Sequence, residues 1–393
     1  MTQGTVLING ASVAGPTLAY WLTRAGFDVT VVERAGSVRP GGYPIDVRGA
    51  ALDVADRMGL LPTLRREHIS TRRITFVGAD GARRGRIALA GEGVQGDVEM
   101  PRGVLTAALY ERTRDDVDYR FGDSVTTIEP SEDGVRTTFE HARPQRFDLV
   151  VGADGMHSTT RRLVFGPEAG YGHHLGLWFA GFSVPNEYGL DREALIANTP
   201  GRMAALYAVR GRPELHALLV VAGSADVGPA VGGESAWLRE RFAEFGWHLP
   251  RLLELSETAD DLYVDSVGQI RMPSWVTGRV ALVGDAGYAP SFLSGQGTSL
   301  ALVGGYLLAK AVGETPGDLP GALAAYQRRT GEFVRRNQAL VNRGSRLLVP
   351  TSRRDLMLRN GFLRLMPLLS RLPGDPDAAV HKASVAVDLD SVA

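Results

Sequence analysis

Across 393 residues the chain carries 43 basic and 44 acidic side chains, a net charge of −1, so no overall positive charge marks it as a nucleic-acid binder. It contains no cysteine, which excludes disulfides, thiolate nucleophiles and cysteine metal sites together. The length suffices for two domains, and with no basic stretch followed by an apolar run at the start, a soluble, cytoplasmic protein, monomeric or weakly dimeric, is expected.

Thr5 to Asn9 reads as a short apolar strand, Gly10-Ala11-Ser12-Val13-Ala14-Gly15 as a tight turn, Pro16 to Ala25 as a helix, and Asp28 to Arg34 as a second strand ending in Glu33-Arg34. A strand, a glycine turn, a helix and an acid about 20 residues on are how a chain holds the ADP half of a dinucleotide: helix-start amides face the pyrophosphate and the acid takes the ribose hydroxyls. The acid fits FAD or NAD better than NADP. Ser12 replaces the middle glycine of the fingerprint and puts a Cβ where the backbone normally approaches the phosphates, although its hydroxyl can itself bond a phosphate. A glycine-rich turn without a ligand is the plain alternative.

After Glu33 the regular winding breaks in the loop Val38-Arg39-Pro40-Gly41-Gly42-Tyr43-Pro44. Ala50 to Leu61 reads as a helix, and Arg73 to Val77 with Arg86 to Leu89 as a hairpin around Ala79-Asp80-Gly81 that belongs to another sheet. Pro101 to Thr113 is helical by its apolar spacing, Asp118 to Phe121, Thr126 to Glu129 and Val135 to Glu140 are short strands, and Phe147 to Val151 is one buried strand closing in Gly152-Ala153-Asp154-Gly155. From Trp178 onward the strands Trp178 to Val184, Met203 to Val209 and Leu215 to Val221, with a helix from Ser235 to Phe245, describe a mostly antiparallel second domain. Arg279 to Val283 returns to the buried type and ends in Gly284-Asp285. Ser299 to Val312, with two adjacent glycines and Lys310, is a buried helix rather than a membrane span. Leu319 to Asn342 and Leu356 to Met366 are helices, with Pro350 and Pro367 as breaks.

The fold class is therefore α/β: a discontinuous Rossmann-like FAD-binding domain (1–72, 98–175 and 270–318), a mostly antiparallel substrate domain (73–97 and 176–269), and a C-terminal helical segment (319–393). Three glycine and acid turns follow buried strands, at 10–15, 154–155 and 284–285, and are expected to converge on one long ligand. The last leads through Ala289-Pro290 into Gly295-Gln296-Gly297 and a helix, whose first amides suit negative charge on a reduced flavin.

With these motifs in this order, the chain resembles the FAD-dependent aromatic hydroxylases, single-component flavoprotein monooxygenases that include p-hydroxybenzoate hydroxylase and, closest in style, the tetracycline-inactivating monooxygenases. The resemblance implies that Gly10, Ser12, Val13, Ala14, Gly15, Glu33 and Arg34 hold the ADP portion, that Asp285 and Gly297 bind the flavin chain, and that Asp154-Gly155 supports both FAD and NAD(P)H. Arg102 and Asp46 match further flavin contacts, and Arg39 a nicotinamide-nucleotide contact. Pro290, Gly295, Gln296 and Gly297 border the flavin. Gly287-Tyr288 and Ser299 depart from the Ala-His and Asn of many members.

The implied reaction has NAD(P)H, as a transient reductant, reduce FAD, after which O2 forms a flavin C4a-hydroperoxide that oxygenates an aromatic or polyketide-like small molecule of secondary metabolism or an antibiotic. The cofactor does the chemistry, so no catalytic side chain is required. Reduction or Baeyer-Villiger insertion on the same scaffold, or sequestration of a reactive compound, are alternatives. Halogenation is disfavoured because no paired tryptophan motif is present, and a serine hydrolase using Ser12 leaves Glu33 and Asp285 unexplained. Trp178, Met203, Tyr207 and Arg210 are candidates to line the substrate pocket, with core packing as the competing role. His173-His174 point to opposite faces of a strand and His157 lies at a helix start, so no metal site is expected. Gly41-Gly42 is expected to let the flavin swing. The basic amphipathic segment from Leu356 to Met366 is expected to dock across the domain junction, since one short helix is a poor independent membrane anchor.

Overall fold

A computed structural model describes residues 2–38, 43–88, 96–209, 212–315, 317–341, 348–369 and 378–390, with the backbone alone for 365–369. Thr5–Asn9 lies inside a six-stranded sheet ordered Val276–Thr277, Val280–Leu282, Leu149–Gly152, Thr5–Asn9, Asp28–Glu33 and Asp118–Phe121. All neighbours are parallel except the first pair. The apolar run is explained by burial on both faces. Val6 and Ile8 pack with the helices Ala14–Arg24 and Gly297–Glu314, while Leu7 packs with Val135, Phe139 and Phe147 of a three-stranded antiparallel sheet.

The apolar run expected as one strand from Phe147 to Val151 is two. Gln145–Phe147 belongs to the three-stranded sheet and Leu149–Gly152 to the parallel one. Asp148 makes the break, because its carboxylate accepts the Thr5 amide at 2.8 Å and the Thr5 hydroxyl at 3.0 Å. The helix expected from Ala50 to Leu61 is likewise divided into Ala50–Arg57 and Leu61–Arg66. Gly59, at φ +71°, and Leu60 return their amides to Asp56 and Ala55, the left-handed ending that glycine permits at least strain.

The second large sheet has seven strands, ordered Tyr263–Ile270, Gly172–Pro185, Glu214–Ala222, Arg202–Ala208, Glu193–Thr199, Arg73–Val77 and Arg83–Ala88. The early hairpin does join this sheet, through a parallel pairing with Glu193–Thr199 that the sequence reading lacked. One face, carrying Ala180, Phe182, Leu206 and Leu219, is covered by the helices Glu234–Phe242 and Leu249–Ser256. The other carries Phe179, Met203 and Val220 and meets Phe292 and Leu293 near the third glycine turn.

Pro44–Val47 and Val98–Pro101 form a separate antiparallel ribbon. Arg353–Leu369 ends only two residues past Pro367, whose missing N–H removes the bond to the Leu363 carbonyl, so this proline falls at the end of the helix rather than before it. No helix among the described residues is long and apolar enough to cross a membrane.

Candidate active site

The three glycine turns touch. A Cβ on Gly10, which has φ +115°, would lie 2.5 Å from the Ala153 carbonyl oxygen, locking the first turn against the second. One on Gly284 would lie 3.1 Å from Cβ of Ala14, so the third turn packs on the helix that the first begins. Within the first turn, a Cβ on Gly15 would fall 1.9 Å from the Gly10 carbonyl oxygen. Ser12 is half-buried and is not among the residues with positive φ, so a side chain is accommodated there.

This arrangement fits a dinucleotide carrying a pyrophosphate and a flavin. The helices Ala14–Arg24 and Gly297–Glu314 both begin without a side-chain cap and without an acid in the first turn, leaving their amides for an anionic or carbonyl group. Val13 and Ala14 stand at the first of these starts. Glu33 ends the second strand and accepts the Ala11 and Ala35 amides, each at 3.0 Å, which ties the acid to the turn while a carboxylate retains further acceptor positions. Arg34 is exposed beside it.

Asp154 is engaged inside the protein. It accepts from Asn9 Nδ2 at 3.0 Å, from the Thr160 amide at 2.9 Å, and from the Ser158 hydroxyl, while Ser158 in turn caps the helix Thr159–Val164. Burial pushes its carboxyl above the ordinary range, opposed by these bonds. Gly155, at φ +83°, has open space beside it.

Arg161 is the residue that sequence reasoning missed here. Its wholly buried guanidinium donates to the carbonyls of Ala286 at 2.8 Å and Met156 at 2.7 Å and pairs with Glu168, tying the second turn to the third. Its position three residues after the capping Ser158 was the available signal. His157, beside it, bonds Glu168 at 2.9 Å and Asp265 at 3.0 Å; these two carboxylates raise its pKa to about 10, so it is an imidazolium at neutral pH.

At the third turn Asp285 is solvent-accessible yet surrounded by protein, which raises its carboxyl against the opposing charge of Arg102. Gly297 lies close to it, with a Cβ there 3.8 Å from Asp285 Oδ1, and Gly295 lies close to Asp46, with a Cβ 3.2 Å from Asp46 Oδ2. Asp46 also pairs with Arg48 at 3.1 Å. Gln269 of the seven-stranded sheet donates to the Pro290 carbonyl at 2.9 Å, and Ser291 beyond it is held at φ +78°, a strained conformation for serine. Gln296 is fully buried, and among the described residues neither end of its amide has a hydrogen-bond partner; the same holds for Arg102 Nε. Orphaned polar atoms beside uncapped helix starts are the donor set that a flavin's carbonyls and ring nitrogens require.

The sheet face directed at this turn carries Phe179, whose ring centroid is 4.8 Å from that of Phe292 and 6.4 Å from that of Tyr43. Met203 shares the face, and strand alternation puts Tyr207 and His216 there too, their rings 5.2 Å apart. Trp178 does not join them. Alternation turns it to the opposite face, where it packs on Trp237 and donates to the Ser224 carbonyl at 2.9 Å. Glu99, also missed from sequence, sits opposite Asp46 in the ribbon; burial and the Asp46 charge raise its pKa to about 7, and Tyr207 is raised chiefly by burial and then by the Glu99 charge.

Both departures from the family pattern have local partners. Tyr288 bonds the Tyr326 hydroxyl at 2.9 Å in space left by Gly304, and Ser299 accepts the Arg48 amide at 3.1 Å. His173 and His174 lie in one strand, each bonded to nearby backbone, and among the described residues no group of three or more His, Asp or Glu is placed to hold a metal. Arg39, Gly41-Gly42 and Arg210 lie outside the described residues.

Residues 3–336 match the FAD binding domain family. The chain is 44% identical over 345 residues to the uncharacterized protein Rv1260 of Mycobacterium tuberculosis, covering 86% of this chain and 92% of that protein. It is 36% identical over 342 residues to a flavin-dependent monooxygenase from an unknown prokaryotic organism, covering 85% and 87%. The crystal structure of tetracycline destructase Tet(51) superposes with a TM-score of 0.85 at 30% identity, covering 99% of both chains. With three converging turns, uncapped helix starts and this family match, the chain belongs to the FAD-dependent monooxygenases of the aromatic hydroxylase family.

Proposed function

We propose that the protein uses NAD(P)H and O2 to oxygenate an aromatic or polyketide-like small molecule. The observation that carries this reading is the Phe179–Phe292 contact, which joins the aromatic face of the seven-stranded sheet to the turn proposed to border the flavin. A flat, electron-rich substrate between Tyr43, Phe179, Met203 and Tyr207 would be packed on apolar surface beside that turn.

Gly10 to Gly15, Glu33, Asp46, Arg102, Asp285, Gly295 and Gly297 are the residues proposed to hold FAD, with Asp154 and Arg161 bracing the turns behind them. When bound, FAD would supply the redox chemistry, taking electrons from NAD(P)H and activating O2. The protein's part is then to exclude water, to orient the substrate ring, and to direct the amides of Gly297–Glu314 at developing negative charge. The likeness to a tetracycline destructase adds fused-ring polyketides to the substrates proposed.

The test is NAD(P)H oxidation by the purified enzyme over a panel of phenols, polycyclic ketones and tetracyclines under 18O2. The reading requires substrate-stimulated oxidation and a product carrying one labelled oxygen. Stimulated oxidation with reduced, unlabelled product would establish a reductase instead.

A further inference from the structure

Six large apolar side chains are exposed among the described residues, and three of them, Met357, Leu358 and Phe362, fall within six positions of the helix Arg353–Leu369. At 3.6 residues per turn this helix has two distinct sides. Leu363 and Arg359 are buried, Leu363 packing against Gly85 and Arg359 donating to Asn198 Oδ1 at 2.6 Å with its guanidinium 5.0 Å from the Phe76 ring centroid. The remaining arc carries Arg353, Arg364, Met357, Gly361, Arg354, Leu358, Phe362 and Asp355, all exposed. Its single acid, Asp355, is engaged by the Ser352 hydroxyl at 2.7 Å.

We propose that this face seats the folded enzyme on an anionic lipid surface, with Met357, Leu358 and Phe362 entering the acyl boundary and Arg353, Arg354 and Arg364 meeting the headgroups. Charge selects the occupant. The arc holds three arginines against one acid in a chain of net charge −1, and apolar side chains interspersed with arginines are the composition of an interfacial helix. A second copy docked about a two-fold axis would set these arginines against themselves. The usual weakness of one short helix as an anchor is the need to order it on the membrane. Here the helix is already held on the sheet by Leu363 and Arg359.

Flotation of the FAD-loaded full chain with vesicles tests this, using phosphatidylcholine alone and phosphatidylcholine with one-third phosphatidylglycerol. Binding is expected to the anionic vesicles, weaker to the neutral ones, and to fall as salt rises. Each of Arg353→Ser, Arg354→Ser and Arg364→Ser should lower the partition constant about fivefold. The triple variant Met357→Ser, Leu358→Ser, Phe362→Ser should lower it at least about tenfold, with flavin spectrum and melting temperature unchanged. Absence of flotation with anionic vesicles overturns the proposal, as does equal binding by wild type and the triple variant. So does a change of oligomeric state in the triple variant without any lipid binding, which would identify the face as a contact between copies.

Discussion

Asp46 and Glu99 are directly opposed residues of the antiparallel ribbon Pro44–Val47 and Val98–Pro101, so their carboxyl groups share one face. Directly opposed like charges disfavour double ionisation, and this repulsion adds to burial in raising Glu99. An acid whose pKa is higher folded than unfolded keeps its proton preferentially in the folded state. Stability is therefore lost as pH rises from the unfolded value near 4.5 through about 7. Glu99→Gln is expected to match wild type below pH 4.5 and to gain up to about 3 kcal/mol above pH 7; urea unfolding across pH checks this, and a gap independent of pH would refute it.

His157 has the same pH sign for a different reason: its charged form is the favoured one. Its pKa is raised by Asp265 and Glu168, so its stabilisation is complete below the unfolded value near 6.5 and is lost as pH passes about 10. The ring is about half exposed, which screens the pair, and His157→Gln should lose only about 1 kcal/mol at pH 7. Melting curves at pH 7 and pH 10.5 should show the difference shrinking.

Removing the Arg161 guanidinium leaves the carbonyls of Ala286 and Met156 without their buried donor. Arg161→Met keeps most of the volume, and is expected to destabilise by about 3 kcal/mol and to weaken FAD retention. Denaturant melts and FAD titration of the apoprotein measure the two effects separately.

The glycine turns separate steric from conformational demands. Gly15→Ala drives a Cβ into the Gly10 carbonyl and is expected to abolish FAD binding, whereas Gly155→Ala meets open space and loses only about 1–2 kcal/mol to its positive φ. Flavin content after purification distinguishes them: a yellow Gly15→Ala protein would show that the first turn can move.

Much of this was legible because buried strands followed by glycine turns have local signatures. Thr5–Asn9, the three turns and the placement of the early hairpin in a second sheet followed from apolar runs and turn residues. What escaped depends on partners distant in sequence. Trp178 and Phe179 are neighbours with equal claim to a pocket, and only the register of Gly172–Pro185 against Glu214–Ala222 decides which faces the third glycine turn. Glu99 looked like an ordinary strand residue until the ribbon placed Asp46 across from it. The strand break at Asp148 was invisible because its cause is Thr5, more than a hundred residues earlier.

The contact between Gly284 and Ala14 also bears on how the enzyme acquires its cofactor during synthesis. Thr5–Asn9 is flanked by Asp28–Glu33, which the ribosome makes almost at once, and by Leu149–Gly152, which it makes much later, with Val280–Leu282 later still. Until the last of these emerges, the nascent chain presents an unpaired parallel edge and lacks the third glycine turn. If the three turns hold FAD as proposed, its capture must follow the emergence of Val280–Leu282, and a product ending earlier would leave the ribosome with an exposed parallel sheet edge.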